Sequence, residues 1–555
     1  MGKKKHQKSS QKRGRQSTQP SAPARPVHLD KRLLRTALIA AVVYAVIMSA
    51  FSVSQHLNLR TQMADLGNAD QAIWAASRGD LAMTVSNDSG GQLRSRLGIH
   101  ANIFFWFLAP LYLVFSNPAV LLVLTSVATA AAGFGLFLIA RHLLGKENPW
   151  TLVPLFAFYL NPMVQDANLY DFHIITVSTA LLVFSIWGFE TNRRPAAWIC
   201  LGLAILCKED VALVAAMLGV YLLLTKRRVD GAVAIGAGVA YLVLFYVVIN
   251  PLVDEGRSLE FVSGTYARHT WMGASLKEML WTLVSKPLEV IKVVFAPYHI
   301  RLPVYLLLIG GIVGLRSWKI LLLTLPYLGV AMTTDNFWMT RITGTYYWMP
   351  SVAFIIVACI LSAAKTLNKK TRPFELVYLG AAVVPATLLF SPLPHGAYST
   401  WANYAQNPHR AEMLAVTRDI PEDAALCFQN NLAPHFSQRP DIVEQGPRCN
   451  NADYLLFHLK TLGGPDFGMF YRSSFWLYRR HDKNARTMEK LIKGRWFGLI
   501  KHEKRFWLFK KGAHHVIPEK EALEQLKADA RAAMKEQNAN SDFPWIREYL
   551  NGDWK

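Results

Sequence analysis

Long apolar blocks separated by short polar links dominate the chain from about residue 34 to 391. They fall near 34–53, 102–115, 118–140, 150–165, 174–189, 196–207, 211–224, 229–249, 302–315, 318–333, 347–364 and 374–391. The stretch from Pro118 to Ala140 contains no charge and is close to the roughly 20 apolar residues that a spanning helix needs. The block at 102–115 is different. It is short, contains Pro110 and runs straight into Asn117-Pro118, which suits an interfacial or re-entrant helix better than a span. With that block set aside, eleven spans remain, and the basic links all fall on one side: Arg141/His142/Lys146, Arg193/Arg194, Lys226/Arg227/Arg228, Arg316/Lys319 and Lys365/Lys369/Lys370/Arg372. The positive-inside rule makes that side cytoplasmic. The N-terminus is then cytoplasmic, the C-terminal region extracytoplasmic, and the protein a multi-pass protein of the cell's inner (plasma) membrane.

Beyond Ser391 the pattern changes to short apolar runs. Ala424–Phe428, Tyr454–His458, Phe475–Tyr478 and Phe506–Phe509 read as strands, Thr487–Lys493 as helix, and the segments either side of Lys501–Lys504 as a hairpin. The expected organisation is a basic cytoplasmic tail (1–32), a transmembrane domain (33–391), a small α/β domain (392–515) and a charged helical tail (516–555), with a helix near Pro518–Asn538. The fold class is therefore an α-helical polytopic membrane protein with a small C-terminal α/β domain.

Composition agrees: 52% of the 555 residues are hydrophobic and only 18% charged, against about 25% charged in soluble domains. The net charge of +22 would suggest a nucleic-acid partner were it not so localised. Met1 to Arg35 alone holds eleven Lys and Arg against Asp30, in a Ser/Gln/Pro-rich segment too polar to fold. Ahead of a first span, such a tail holds the N-terminus inside and meets anionic headgroups. A bilayer, not a nucleic acid, is the expected partner. No Ala-x-Ala site follows the first apolar run, so that run reads as an uncleaved anchor. The five cysteines form no metal-binding spacing. Cys200, Cys207 and Cys359 lie in apolar spans, while an oxidising compartment would permit, without requiring, a Cys427–Cys449 disulfide.

Under this topology the polar clusters gather on the outer face. The first holds Asp65, Asp70, Gln71 and Trp74 soon after the first span. Its two carboxylates are five apart and share no helical face, and Asp65 alone would serve as a helix cap. The second is Gly98-Ile99-His100-Ala101-Asn102. The third holds Asp166, Tyr170, Asp171 and His173. An Asp and a His two apart can hold a divalent metal ion or a lipid phosphate, or simply cap a turn. Lys208-Glu209-Asp210 lies between two short apolar arms, where three charges require a polar surrounding. Asp335, Asn336, Tyr346, Tyr347 and Trp348 lie at another outer end, where aromatics usually form an interfacial belt. The loop from about Asn250 to Arg301, with Arg257, Glu260, Arg268, His269 and Trp271 and with Gly256, Gly264 and Gly273, suits a cover over a substrate.

The ordered set Asp65-Leu66-Gly67-Asn68-Ala69-Asp70-Gln71-Ala72-Ile73-Trp74, Gly98-Ile99-His100, Asp171-Phe172-His173, Cys207-Lys208-Glu209-Asp210, Leu432–Arg439 and Ala452–Leu456 resembles a family of polytopic membrane proteins known only as a domain of unknown function. That family is distantly similar to the GT-C glycosyltransferases, among them the protein mannosyltransferases and the aminoarabinose transferases of lipid A. The resemblance implies transfer of a sugar from a polyprenyl-phosphate donor to a cell-envelope acceptor on the outer face. It implies Asp65 as the catalytic base that deprotonates the acceptor hydroxyl. Asp70, His100, Asp171, His173, Lys208, Glu209, Asp210 and Tyr346 are the implied substrate-binding set. Lys208 or a nearby Arg would neutralise the leaving phosphate, and Asp171 and His173 would orient that phosphate or bind a divalent metal ion. The chain has His100-Ala101-Asn102 where the mannosyltransferases have a His-Pro-Pro motif, so neither donor identity nor metal dependence carries over.

Two rival readings remain at this stage. A transporter or flippase predicts charges near the bilayer midplane and repeated halves. No internal repeat is evident, and only the Lys208–Asp210 hairpin suits that reading. A non-catalytic anchor displaying the C-terminal domain predicts that Asp65 is dispensable.

Overall fold

The computed structural model describes residues 2, 28–86, 93–253, 269–273, 276–334, 337–367, 373–395, 404, 409–444, 449–459 and 474–539. The expectations for the basic tail up to residue 27, for Arg257, Glu260 and Arg268, for Asp335 and Asn336, and for the chain end beyond 539 lie outside those residues.

A helix occupies every one of the eleven blocks read as spans. They are α1 (His28–Leu57), α4 (Ala119–Leu144), α5 and α6 (Val153–Leu160, Pro162–Leu169), α7 (Ile174–Glu190), α8 (Arg194–Ile205), α9 (Glu209–Leu224), α10 (Arg228–Val253), α13 (297–314), α14 (318–333), α15 (Met349–Thr366) and α16 (Phe374–Phe390). Five helical segments are long and apolar enough to cross a bilayer: Leu29–Leu57, Ala119–Leu144, Arg228–Val253, Pro297–Thr333 and Met349–Thr366. The fourth is really two arms. The backbone leaves helical geometry at Ser317, and the His299 ring reaches the Thr334 carbonyl at 3.1 Å, so α13 and α14 fold back on each other. Between the spans lie α2 (Asn68–Ser77) and α3 (Phe105–Tyr112). At 1.5 Å per residue, α3 is about 12 Å long, far too short to span. It exposes Phe107, and the residues after it expose Leu113, Val114 and Phe115, as an interfacial helix should. The long loop is itself largely helical where described, with α11 (Leu276–Ser285) and α12 (Pro287–Val294).

The helices alternate in direction, so polar groups segregate to two ends. At one end Arg141 forms a two-pronged pair with Asp30, Arg194 pairs with Asp230, and the Lys365 ammonium donates to the Arg316 carbonyl. The clusters around Asp65, His100, Asp171, Lys208 and Tyr346 lie at the other.

The C-terminal unit has a five-stranded sheet in the order β4-β3-β5-β7-β6. Its strands are β3 (Leu426–Phe428), β4 (Ile442–Glu444), β5 (Tyr454–His458), β6 (Phe497–Glu503) and β7 (Phe506–Lys511); β1 (Thr84–Ser86) and β2 (Leu93–Ser95) form a separate hairpin. β3 runs parallel to β4 and β5, and β7 pairs antiparallel with β5 and β6. Cys427 and Cys449 form a disulfide with a Cα–Cα distance of 5.4 Å. One sheet face packs on α18 (Ser474–Lys493) and α19 (Glu519–Ala539) through Met488, Ile492, Leu526 and Ala530. The α/β unit, expected to end near 515, thus extends through α19. The expected strand Phe475–Tyr478 is instead the start of α18. No glycine or proline interrupts the chain from Ser474 to Lys493, and Ala485, Met488 and Ile492 recur at helical spacing.

The other sheet face packs on α17 (His409–Thr417) and, unexpectedly, on the segment just after α1. Leu59 and Met63, 0% and 2% exposed, join Met413, Leu426, Phe428, Leu456 and Leu508 in one core. That contact places the α/β unit directly against the first candidate cluster.

Candidate active site

The site is built around a single π-helical turn, Met63–Gly67, that continues into α2 and carries Asp65. A helical start leaves backbone N–H groups without partners, and the side chain of Gln62, at the cap position, accepts from none of them. Distant residues fill the gap. The Asp171 carboxylate accepts from the Gln62 N–H at 2.8 Å and from the Leu66 N–H. The Asn430 side-chain oxygen accepts from the N–H groups of Met63 (2.7 Å) and Ala64 (3.3 Å). Asp171 itself has φ +95, a conformation costly for any residue but glycine, retained here because its carboxylate is spent on this turn.

So held, Asp65 places Oδ1 3.3 Å from Nε2 of His173. His173 precedes α7 and stacks flat on Tyr346, with ring centroids 3.3 Å apart, while Tyr170 and Tyr347 close around Tyr346 at 5.2 and 4.2 Å. The Tyr346 hydroxyl donates to that of Tyr347. Nε2 of His173 is buried and has no hydrogen-bond partner, so it lies near the Asp65 carboxylate without being tied to it. Burial, followed by the nearby charges of Lys208 and Arg96, drives the His173 pKa well below the usual histidine range. At neutral pH the ring is therefore uncharged. Burial first, and then the neighbouring Asp65 charge, pushes Asp171 well above the usual carboxylate range.

Lys208 reaches Asp210 at 3.0 Å, and one oxygen of Asp210 is buried without a partner. Glu209 opens α9 and holds the turn before α3: Oε1 meets Nδ1 of His100 at 2.8 Å, and Oε2 accepts from the Ala101 N–H at 3.0 Å. Asn102 donates to the Cys207 carbonyl. The two motifs read separately from the sequence are therefore one lock.

Asp65, Asp171, His173, Lys208 and Tyr346 come together, with His100 and Glu209 beside them. Asp70 does not join them. It turns away and accepts from Tyr112, Ser437 and Gln438. Asp166 likewise accepts from the Gly344 N–H. Sequence reasoning missed Arg96 and Asn430. Arg96 had a signal, as a charge four residues before His100, whereas nothing local marks Asn430. As for a metal ion, Asp171 is committed to backbone donors. Among the described residues no group of three or more His, Cys, Asp or Glu side chains converges. Among the described residues, Asp65 and His173 bring two donors side by side.

Comparison with curated protein sequences finds no match. Solved structures similar to this chain include ArnT from Cupriavidus metallidurans bound to undecaprenyl phosphate, at 12% identity and TM-score 0.49, covering 85% of this chain and 97% of that one. The oligosaccharyltransferase from Archaeoglobus fulgidus in the apo form is similar at 11% identity and TM-score 0.41, covering 78% of this chain and 69% of that one. Likeness at this level does not carry chemistry across to this chain. The family model is more decisive: that of the predicted membrane proteins DUF2079 matches residues 55–496. The match spans the Asp65 turn, the His173 and Lys208 clusters and the greater part of the α/β unit, and the chain belongs to the DUF2079 family.

Proposed function

We propose that the protein is a membrane glycosyltransferase that moves a sugar from a polyprenyl-phosphate donor to a cell-envelope acceptor at the outer face, with Asp65 as the catalytic base. The observation that carries this reading is the Asp65 carboxylate itself. It is held on a turn capped from two sides, beside an uncharged histidine that itself lies within the field of Lys208 and Arg96. The donor class comes from the motif resemblance to lipid-linked transferases.

The chemistry needs one base and one charge sink. Asp65 takes the proton from the acceptor hydroxyl as that oxygen bonds to the anomeric carbon. The bond from that carbon to the phosphate oxygen breaks with its electron pair, leaving polyprenyl phosphate. Lys208 and Arg96 offset the charge that develops there. A single base acting on the acceptor in one displacement inverts the anomeric centre. Tyr170, Tyr346 and Tyr347 offer aromatic faces beside the reacting carboxylate. His173 keeps Asp65 company without protonating it, which preserves the carboxylate as an acceptor.

The test is turnover in bilayer nanodiscs. Purified protein is given a lipid extract from its own host membrane, and free polyprenyl phosphate is measured by mass spectrometry. Wild type is expected to release it, and Asp65→Asn to lose at least about a hundredfold of that rate. Equal release by both proteins would exclude Asp65 as the base.

A further inference from the structure

The turn bearing Asp65 is finished by the C-terminal α/β unit. Asn430 follows β3 by two residues and contacts the turn in four ways. Its side-chain oxygen accepts from Met63 and Ala64, its backbone carbonyl also accepts from Met63 at 2.8 Å, and its side-chain nitrogen donates to the Gln62 side chain at 3.2 Å. This is the work of a helix N-cap, done by a residue more than 360 positions away. Met63, one residue from Ala64 and two from Asp65, lies at 2% exposure in the sheet core with Leu59. Neighbouring contacts repeat the arrangement. Asn431 donates to the Leu59 carbonyl, Ser437 and Gln438 to Asp70, and Gln71 donates to the Arg439 carbonyl.

We infer that Asn430 is a positioning residue for Asp65 and that the α/β unit is thereby part of the catalytic machinery rather than a module the membrane domain displays. The inference deepens the glycosyltransferase reading and rests on it for its effect on rate. Its structural half stands independently. With Asn430 shortened, the Ala64 N–H loses its acceptor and the Met63 N–H keeps only the backbone carbonyl of residue 430, so the turn retains Asp65 through that single bond and through Asp171. Displacing a reacting group by about 1 Å costs on the order of a hundredfold in rate, whereas substrate contacts elsewhere are untouched.

The test uses the full-length protein in nanodiscs with three variants: Asn430→Ala, Asn430→Asp and Asp65→Asn. Amide hydrogen exchange reads the peptide containing Met63 and Ala64. Exchange there is expected to quicken at least about tenfold in Asn430→Ala. It should be restored in Asn430→Asp, an equally good cap, and unchanged in Asp65→Asn. Release of polyprenyl phosphate from membrane lipid extract should show kcat about ten- to a hundredfold lower in Asn430→Ala, with KM within about twofold. Asn430→Asp should recover most of kcat. Its added carboxylate should also move the acid limb of the pH–rate profile upward. Asn430→Ala with wild-type protection, or with faster exchange but wild-type kcat, overturns the inference. If Asn430→Ala does not fold, Asn430→Asp decides by its pH profile: an unshifted acid limb overturns the role near Asp65. Should even the wild type release nothing, the glycosyltransferase reading fails on its own and the exchange data still judge the cap.

Discussion

Asp70 accepts three hydrogen bonds at 0% exposure, and the balance of forces on it is measurable. Burial raises its pKa more than the donors from Tyr112, Ser437 and Gln438 lower it, and the carboxyl is pushed up to about 6. The folded protein then holds this proton over a range where the unfolded chain, near pKa 4, has released it. The associated stability is fully present below about pH 4 and is lost as pH rises through 6, on the order of 3 kcal/mol. Asp70→Asn retains the acceptor oxygen and does not titrate. Melting temperatures in detergent should therefore show the variant gaining on wild type from pH 4 to pH 7; a constant difference across that range would contradict the assignment. The sequence spacing of five already separated the roles of Asp65 and Asp70, and the structure puts Asp65 on the π-helical turn beside His173 and Asp70 on α2 against Tyr112, Ser437 and Gln438. Where the Asp70 partners come from was not legible, because Ser437 and Gln438 lie more than 360 residues away. The positive φ of Asp171 was equally hidden, since only contact with the Asp65 turn explains it.

Helices α9 and α10 pack through glycines that hydropathy alone does not distinguish. A Cβ on Gly219 would lie 2.6 Å from the Gly231 carbonyl oxygen, and one on Gly231 would lie 2.7 Å from that of Gly219. Small residues that allow this close approach are how membrane helices gain van der Waals contact. Gly219→Val should cost about 1–3 kcal/mol or prevent assembly, read as a lower melting temperature in detergent, while Gly236→Val, with open space around it, should be near neutral. Equal effects would contradict the packing. The element types themselves were readable wherever length or proline limited the choice: α3 was too short to span, and the β6–β7 hairpin followed from two short apolar runs either side of Lys501–Lys504. Phe475–Tyr478 failed as a strand because four apolar residues look alike in either period, and only the following turns reveal the helix. The disulfide between β3 and the segment before β5 closes a 22-residue separation. Its loss through Cys427→Ser should cost about 3 kcal/mol. Thermal unfolding of the α/β unit with and without reductant checks this: wild type should fall to the level of the variant, and an unchanged midpoint would contradict it.

At the scale of the molecule, the basic links and the candidate site occupy opposite ends of an alternating helical bundle, and the α/β unit closes over the site end. Charge distribution along the sequence made the two ends legible before any coordinates. The joining of the α/β unit to the Asp65 turn was not, since it depends on contacts that no local pattern records. The central claim is that this end of the bundle consumes a lipid-linked sugar through Asp65. Lipid mass spectrometry on a strain lacking the protein, complemented with wild type or Asp65→Asn, tests it most directly. The account predicts that a polyprenyl-phosphate sugar accumulates with the variant and not with wild type, and the accumulated species names the donor. Matching lipid profiles, with the variant protein present at normal levels, would contradict it.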